Sequence, residues 1–294
     1  MTRALVLGGG GPVGIAWEAG LLAGLAEGGV TLADADYIMG TSAGSVVGAL
    51  IAMGRAAGDI AGPIIAEADR PRDIPGAVAE TRTGAPNMMV LFQKMQEAAS
   101  GERDPQEVRK EIGTFSLEAQ TVEEESFIGG FGRQLAQAHG AWPGHGYACT
   151  AVDTATGEFV VWNEASKVPL SRAVASSCSV PGVFPAITID GKRYMDGGMR
   201  SATNADLAKG HDLTVVVAVR LGGGEFAERM MAPLNRELQV LKDAGGKVEL
   251  ITPDDASGEA FGGNLMNPKH RPAAAKAGLE QGRALASSLK AVWG

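Results

Sequence analysis

The chain has 294 residues, 45% of them hydrophobic and 20% charged, with a formal net charge of −8. That length suits one large α/β domain or two small ones. The acidic balance gives no attraction to nucleic acid or to an anionic membrane, so any transient contact with a membrane surface must use apolar side chains. Two cysteines, Cys149 and Cys178, exclude a disulfide framework and fit buried free thiols in a reducing, cytoplasmic setting. No segment approaches the ~20 uninterrupted apolar residues of a membrane span.

Ala4 to Leu7 reads as a buried strand; the apolar run is too short for a signal peptide. It enters Gly8-Gly9-Gly10-Gly11-Pro12-Val13-Gly14, and a helix follows with Ile15, Ala19, Leu22, Leu25 and Ala26 on its apolar face, closed by Gly28-Gly29. Strand, glycine loop and helix turn backbone N–H groups toward a negative atom. Two functions fit. Gly9-x-Gly11-x-x-Gly14 satisfies the dinucleotide fingerprint of a nucleotide-binding oxidoreductase, with Asp34 or Asp36 as the ribose-binding acid. The other is an oxyanion hole built from the loop amides. A dinucleotide site wants its acid at the end of the second strand; Asp34 and Asp36 precede that strand, which favours the oxyanion reading.

Tyr37 to Leu50 reads as a strand, a tight turn at Ser42, and a helix running to about Met53. Gly40 and Gly44 flank the serine in G-x-S-x-G spacing. A serine on a sharp strand-to-helix turn exposes its hydroxyl over a helix N-terminus, and only small residues fit where strand and helix pass beside it. Asp59 to Ala68 suits a further helix, and Arg70 to Arg82 a loop. Residues 87–142 read as mostly helical: a stripe of Met88, Met89, Leu91, Phe92 and Met95, then capping signals at Asp104-Pro105-Gln106-Glu107 and Thr121-Val122-Glu123-Glu124. The stripe fits core, or the lining of an acyl pocket. The Glu123 to Glu125 run reads as a solvated helix start. Residues 55–145 are thus a helical cap or insertion within one domain spanning 1–294.

Gly146 to Val152 and Phe159 to Trp162 read as strands, Pro169 to Ser177 as a helix, and Ile187 to Met195 as a hairpin about Asp190-Gly191. The hairpin delivers Asp196-Gly197-Gly198. Strands at Leu213 to Val219 and Lys247 to Thr252 alternate with helices at Glu228 to Leu241 and Ala273 to Val292. This alternation implies a mainly parallel sheet covered on both faces.

A serine hydroxyl needs a base and an oxyanion donor set to act as a nucleophile. The four histidines, His139, His145, His211 and His270, lack a glycine-flanked loop or an obvious strand-end carboxylate partner; only His270 is kept as a third-member candidate. Asp196, ending a strand ahead of two glycines, is the better base. An aspartate is a weak base, with a reference pKa near ~3.9, so such a pair needs a partly desolvated site.

Gly8 to Gly14, Gly40-Thr41-Ser42-Ala43-Gly44 and Asp196-Gly197-Gly198, in that order, resemble the patatin-like phospholipase family. Ala175-Ser176-Ser177 and Val180-Pro181-Gly182-Val183-Phe184-Pro185 resemble its segment before the aspartate. The resemblance covers residues 4–54 and about 148–207. It implies an α/β three-layer sandwich with a mainly parallel central sheet, a modified α/β-hydrolase fold. It further implies a Ser-Asp dyad that hydrolyses acyl lipids or other esters without cofactor or metal: Ser42 as nucleophile, Asp196 as base, and the amides of Gly9, Gly10 and Gly11 as oxyanion donors. One position departs. The family commonly carries Arg or Lys two residues after its glycine triplet, where this chain has Val13; a lipid-binding protein without catalysis on the same scaffold is the reading that this departure supports.

Overall fold

The structure, a computed structural model, describes residues 1–69, 90–91, 93–97, 102–135, 141–144, 146–220 and 224–294. The expected loop at 70–82, the first residues of the methionine stripe, His139 and His145 lie outside these.

A single mixed sheet organises the described residues. Its strands are β1 (Arg3–Leu7), β2 (Tyr37–Gly40), β3 (Gly146–Asp153), β4 (Phe159–Trp162), β5 (Ile187–Ile189), β6 (Lys192–Asp196), β7 (Leu213–Val217) and β8 (Lys247–Ile251). They run in the order β5-β6-β3-β2-β1-β7-β8, with β4 also paired to β3. The β1–β2, β2–β3, β1–β7 and β7–β8 pairs are parallel; β4 and β6 run antiparallel to β3, and β5 to β6. The expected mainly parallel sheet is present, with its antiparallel part confined to the edge that carries Asp196. At the hairpin tip Asp190 and Gly191 both have positive φ, 49° and 76°, as a two-residue turn of this hand requires.

The helices are α1 (Gly11–Glu27), α2 (Ala43–Ala52), α3 (Ala57–Ile65), α4 (Pro105–Glu118), α5 (Glu124–Leu135), α6 (Leu170–Ser177), α7 (Gly224–Asp243), α8 (Asp255–Ala260) and α9 (Arg271–Trp293). Helical residues at 90–91 and 93–97 precede α4. No described helix is long and apolar enough to cross a membrane.

Helix α1 is not one-sided, as its apolar stripe suggested. Val13, Gly14 and every residue from Ala16 to Leu25 are buried, because α1 is covered by α2, α3 and α9 together. Its contact with α9 is backbone against backbone. A side-chain carbon at Gly20 would fall on the Ala275 carbonyl oxygen, at Gly24 on that of Leu279, at Gly278 on that of Trp17, and at Gly282 on that of Leu21. Only hydrogen fits at these four positions. Trp17 closes the seam, its indole N–H reaching Gln281 Oε1 at 3.0 Å and Ser257 Oγ at 3.2 Å.

The same burial encloses Glu18, which is fully buried with neither carboxyl oxygen hydrogen-bonded. Burial pushes its pKa well above the ordinary value, because the charged form is the one that loses solvation there.

Two local expectations change. Helix α5 begins at Glu124, and the Thr121 hydroxyl donates to Val122 O, so Thr121 is not its cap. Glu124 is not a solvated residue of the helix start: it accepts from the Thr188 N–H at 2.6 Å, the Thr188 hydroxyl at 2.9 Å and Arg172 Nη1 at 3.2 Å, which fastens α5 to β5. Of the methionine stripe, Leu91 and Met95 pack with Val108 and Ile112 of α4 against Val152, Met195 and Met199, so the described part is core.

Candidate active site

The C-terminal ends of β1 and β2 lie side by side, and each opens into a helix. Leu7 pairs with Gly40, so the glycine loop and the serine turn leave the sheet as neighbours. Ser42 has φ 51° and ψ −115°, a strained conformation for a residue with a side chain. Its flanking glycines are obligatory. A Cβ at Gly40 would lie 2.5 Å from Gly44 O, and one at Gly44 would strike the Leu7 carbonyl.

Several bonds hold the turn. The Ser42 N–H donates to Ser177 Oγ at 3.0 Å, while the Ser42 carbonyl accepts from Ser45 Oγ at 2.6 Å and the Cys178 thiol at 3.2 Å. The Cys178 thiol is held protonated: burial pushes its pKa well up, and the Asp196 charge adds to this. Beside the serine, Thr41 Oγ1 lies 3.0 Å from Thr150 Oγ1 and accepts from Asn204 Nδ2 at 3.0 Å. Asn204, itself left-handed at φ 51°, also donates to Gly197 O and Ser201 O. This amide ties the residue before Ser42 to the residue after Asp196. Ser177 belonged to a recognised segment, but its bond to Ser42 did not show in sequence. Asn204 carried no sequence signal at all, because its function depends on a turn that brings chain positions 41 and 204 together.

Asp196 ends β6 with 2% of its surface exposed, and Ser42 has 8%. Asp196 Oδ1 accepts the Gly198 N–H at 2.7 Å. Oδ2 is buried and has no hydrogen-bond partner. Burial raises the Asp196 pKa to about 7; the Gly198 N–H and the Ser42 hydroxyl act against that rise. The structure therefore brings the Ser42 side chain to the Asp196 carboxyl group, in a contact short of standard hydrogen-bond geometry. Catalytic contacts are often loose before substrate tightens them. The close approach of β3 requires Gly197, whose Cβ would fall on Thr150.

The glycine loop faces the serine: a Cβ at Gly9 would lie 3.4 Å from Ser42 Cβ. One of its three expected donors is already occupied, since the Gly9 N–H donates to Ala202 O at 2.7 Å. The expectation for Gly9 is corrected accordingly. Gly10 caps α1 and Gly11 begins it, and among the described residues neither N–H has a protein acceptor. Val13 is fully buried and its N–H donates to Leu265 O at 3.2 Å, so a loop from the far end of the chain closes over the site of the missing cation.

The remaining candidates lie elsewhere. His211 bonds Ala208 O through Nδ1 and stacks on Tyr37, at the opposite end of the sheet. The His270 ring lies against Gly262 and bonds neither Ser42 nor Asp196. Asp36 accepts the Arg3 N–H at 2.7 Å, at the start of β1 and away from the glycine loop, where it cannot meet a ribose bound there. Among the described residues no cluster of His, Cys, Asp and Glu is arranged to hold a metal.

A comparison with curated protein sequences gives no match. Among solved structures, the chain is similar to VipD from Legionella pneumophila, with a TM-score of 0.46 and 15% identity, covering 98% of this chain and 67% of that one. It is also similar to the type III effector protein ExoU, with a TM-score of 0.41 and 16% identity; 98% of this chain aligns with 53% of that one, so it spans about half the effector's length. The family model described as patatin-like phospholipase matches residues 5–209, which hold the glycine loop, the serine turn and Asp196. With more than half its length in that match, on a sheet that sets these three motifs side by side, the chain belongs to the patatin-like phospholipase family, whose members act on lipid esters.

Proposed function

We propose that the protein is a serine acyl hydrolase in which Ser42 and Asp196 form a catalytic dyad. The observation that carries this reading is Asp196 Oδ2: a buried carboxyl oxygen without a partner, beside a hydroxyl on a strained turn. Ser42 Oγ attacks the ester carbonyl while its proton passes to Asp196. The developing oxyanion accepts from the Gly10 and Gly11 amides, aided by the N-terminus of α1. The alcohol leaves with the proton held by Asp196. Asp196, having given that proton to the alcohol, then takes one from a water whose oxygen attacks the acyl carbon, and returns it to Ser42 Oγ as the Ser42–acyl bond breaks and the acid leaves. A carboxylate of pKa about 7 is a far better base than an ordinary aspartate, and it is still ionised in a substantial fraction of molecules at neutral pH.

The substrate is an acyl lipid or a related ester, reached by transient contact with a membrane surface. Exposed apolar side chains such as Leu117 (48%) and Val122 (57%) suit that contact, where a net charge of −8 does not. Mass spectrometry of protein treated with a fluorophosphonate tests the nucleophile. The adduct is expected on Ser42; an adduct on any other serine, or none with ester turnover intact, would overturn the assignment.

A further inference from the structure

We propose that Arg109 and Arg200 form a binding site for a phosphate-class anion, on the face of the sheet opposite the Asp196 side chain. Arg109 reaches from α4 to the β3–β4 turn, where its Nε donates to Gly157 O at 2.8 Å. Arg200 lays its guanidinium over the Phe159 ring, 4.6 Å from the centroid. Gly157 and Phe159 are two positions apart, so two guanidinium groups from distant parts of the chain rest on one hairpin. Phe159 pairs with Val152, and Val152 with Met195; these three pack together beneath Val108 and Ile112 of α4. Met195 and Asp196 are consecutive on β6, so their side chains point to opposite faces. The arginines lie with Met195.

The charge balance there is incomplete. Arg200 is itself paired: Nη1 and Nη2 donate to the two oxygens of Asp206 at 2.9 and 2.6 Å, Nη1 also to Asn204 Oδ1 at 2.8 Å, and the Glu237 charge further favours its cation, so the uncompensated charge is that of Arg109. Arg109 has no carboxylate within ion-pair distance among the described residues. Asp104, whose charge favours the Arg109 cation, caps its own helix through the Gln106 N–H. Burial and the neighbouring Arg200 both push the Arg109 pKa down. A half-buried guanidinium beside a second one, with a single hydrogen bond among the described residues, is an unfavourable arrangement that an anion relieves. Both Nη groups of Arg109 remain for a ligand, and a guanidinium fork matches two oxygens of a phosphate. The phosphate can be free or carried by a lipid headgroup. The proposal stands apart from the hydrolase reading, because neither arginine touches Ser42 or Asp196, although Arg200 shares the Asn204 side chain with that site.

The test is thermal unfolding of the wild-type protein in sodium phosphate against sodium chloride of equal ionic strength. A saturable rise in Tm with phosphate is expected, as for any ligand that binds the folded state alone. In Arg109→Gln the apparent phosphate affinity should fall about tenfold or more, and Arg109→Lys should recover part of it. Should Arg109→Gln fail to fold, phenylglyoxal labelling of the wild type gives the same answer: phosphate should protect Arg109 and leave the exposed Arg103 and Arg283 labelled. Vesicles of phosphatidylglycerol and of phosphatidylcholine separate the sources. Arg109-dependent flotation with phosphatidylglycerol alone supports a headgroup site, and phosphate binding without flotation supports a soluble phosphate. No saturable shift, or the same shift in wild type and Arg109→Gln, would overturn the site.

Discussion

The Gly44 N–H donates to the Gly8 carbonyl at 2.9 Å, so the first turn of the serine helix is bonded directly to the glycine loop that precedes α1. A methyl group at Gly44 would strike the Leu7 carbonyl, which sits at the root of that loop. Gly44→Ala should therefore destabilise the fold by about 3 kcal/mol or more, by forcing backbone apart. Gly58→Ala in α3, where nothing lies within 4 Å of the added carbon, should be neutral or stabilising by about 0.5–1 kcal/mol. Urea denaturation of the two variants checks the contrast.

Ser42→Ala and Asp196→Asn should each lower kcat/KM for a short p-nitrophenyl ester by roughly 10³-fold or more, with the far-ultraviolet circular dichroism unchanged. Equal activity in Ser42→Ala and wild type would remove the dyad.

Asp196 should set the pH profile. In the proposed dyad its base form takes the Ser42 proton, so kcat/KM should rise with pH through an apparent pKa of about 7. The stability effect has the opposite sign. The folded state holds the proton that the unfolded state gives up near the ordinary aspartate pKa. Stability from this group is thus complete in acid and is lost as pH rises toward about 7. Asp196→Asn should consequently be inactive yet more stable than wild type at pH 8, by about 1–3 kcal/mol.

Glu18 follows the same rule without touching substrate. Its raised pKa means that stability is lost as pH climbs above the ordinary glutamate range. Glu18→Gln should flatten the dependence of Tm on pH above that range, and Glu18→Met should raise Tm at pH 8. An unchanged pH slope in Glu18→Gln would show that the carboxyl group is ionised and paired.

The buried thiols should be inert. Burial raises the Cys149 pKa to about 12 and that of Cys178 well above the ordinary thiol value. Iodoacetamide at pH 8 should label neither cysteine in the native protein and both after denaturation.

The serine turn was legible because its requirements are local: two glycines at fixed spacing, one strand before, one helix after. Asp196 was legible from its hairpin and the Gly-Gly behind it. What sequence hid was decided across long chain separations. The Gly9 amide is taken by Ala202, and nothing around Gly9 announces that carbonyl. Glu124 looked solvated because its partners, Thr188 and Arg172, arrive from β5 and α6. Glu18 lies off the apolar face expected of α1 and is a buried acid because α2, α3 and α9 together cover that helix.

The glycine seam between α1 and α9 has a consequence for biosynthesis. Helix α1 is made well before its backbone-close partner, residues 271–293. Until the ribosome has released those residues, the helix that presents the Gly10 and Gly11 amides lacks one wall. A contact spanning some two hundred and fifty positions is slow to form. On the proposed function, nascent chains should remain inert toward esters, and activity should appear only after translation has passed the last turn of α9.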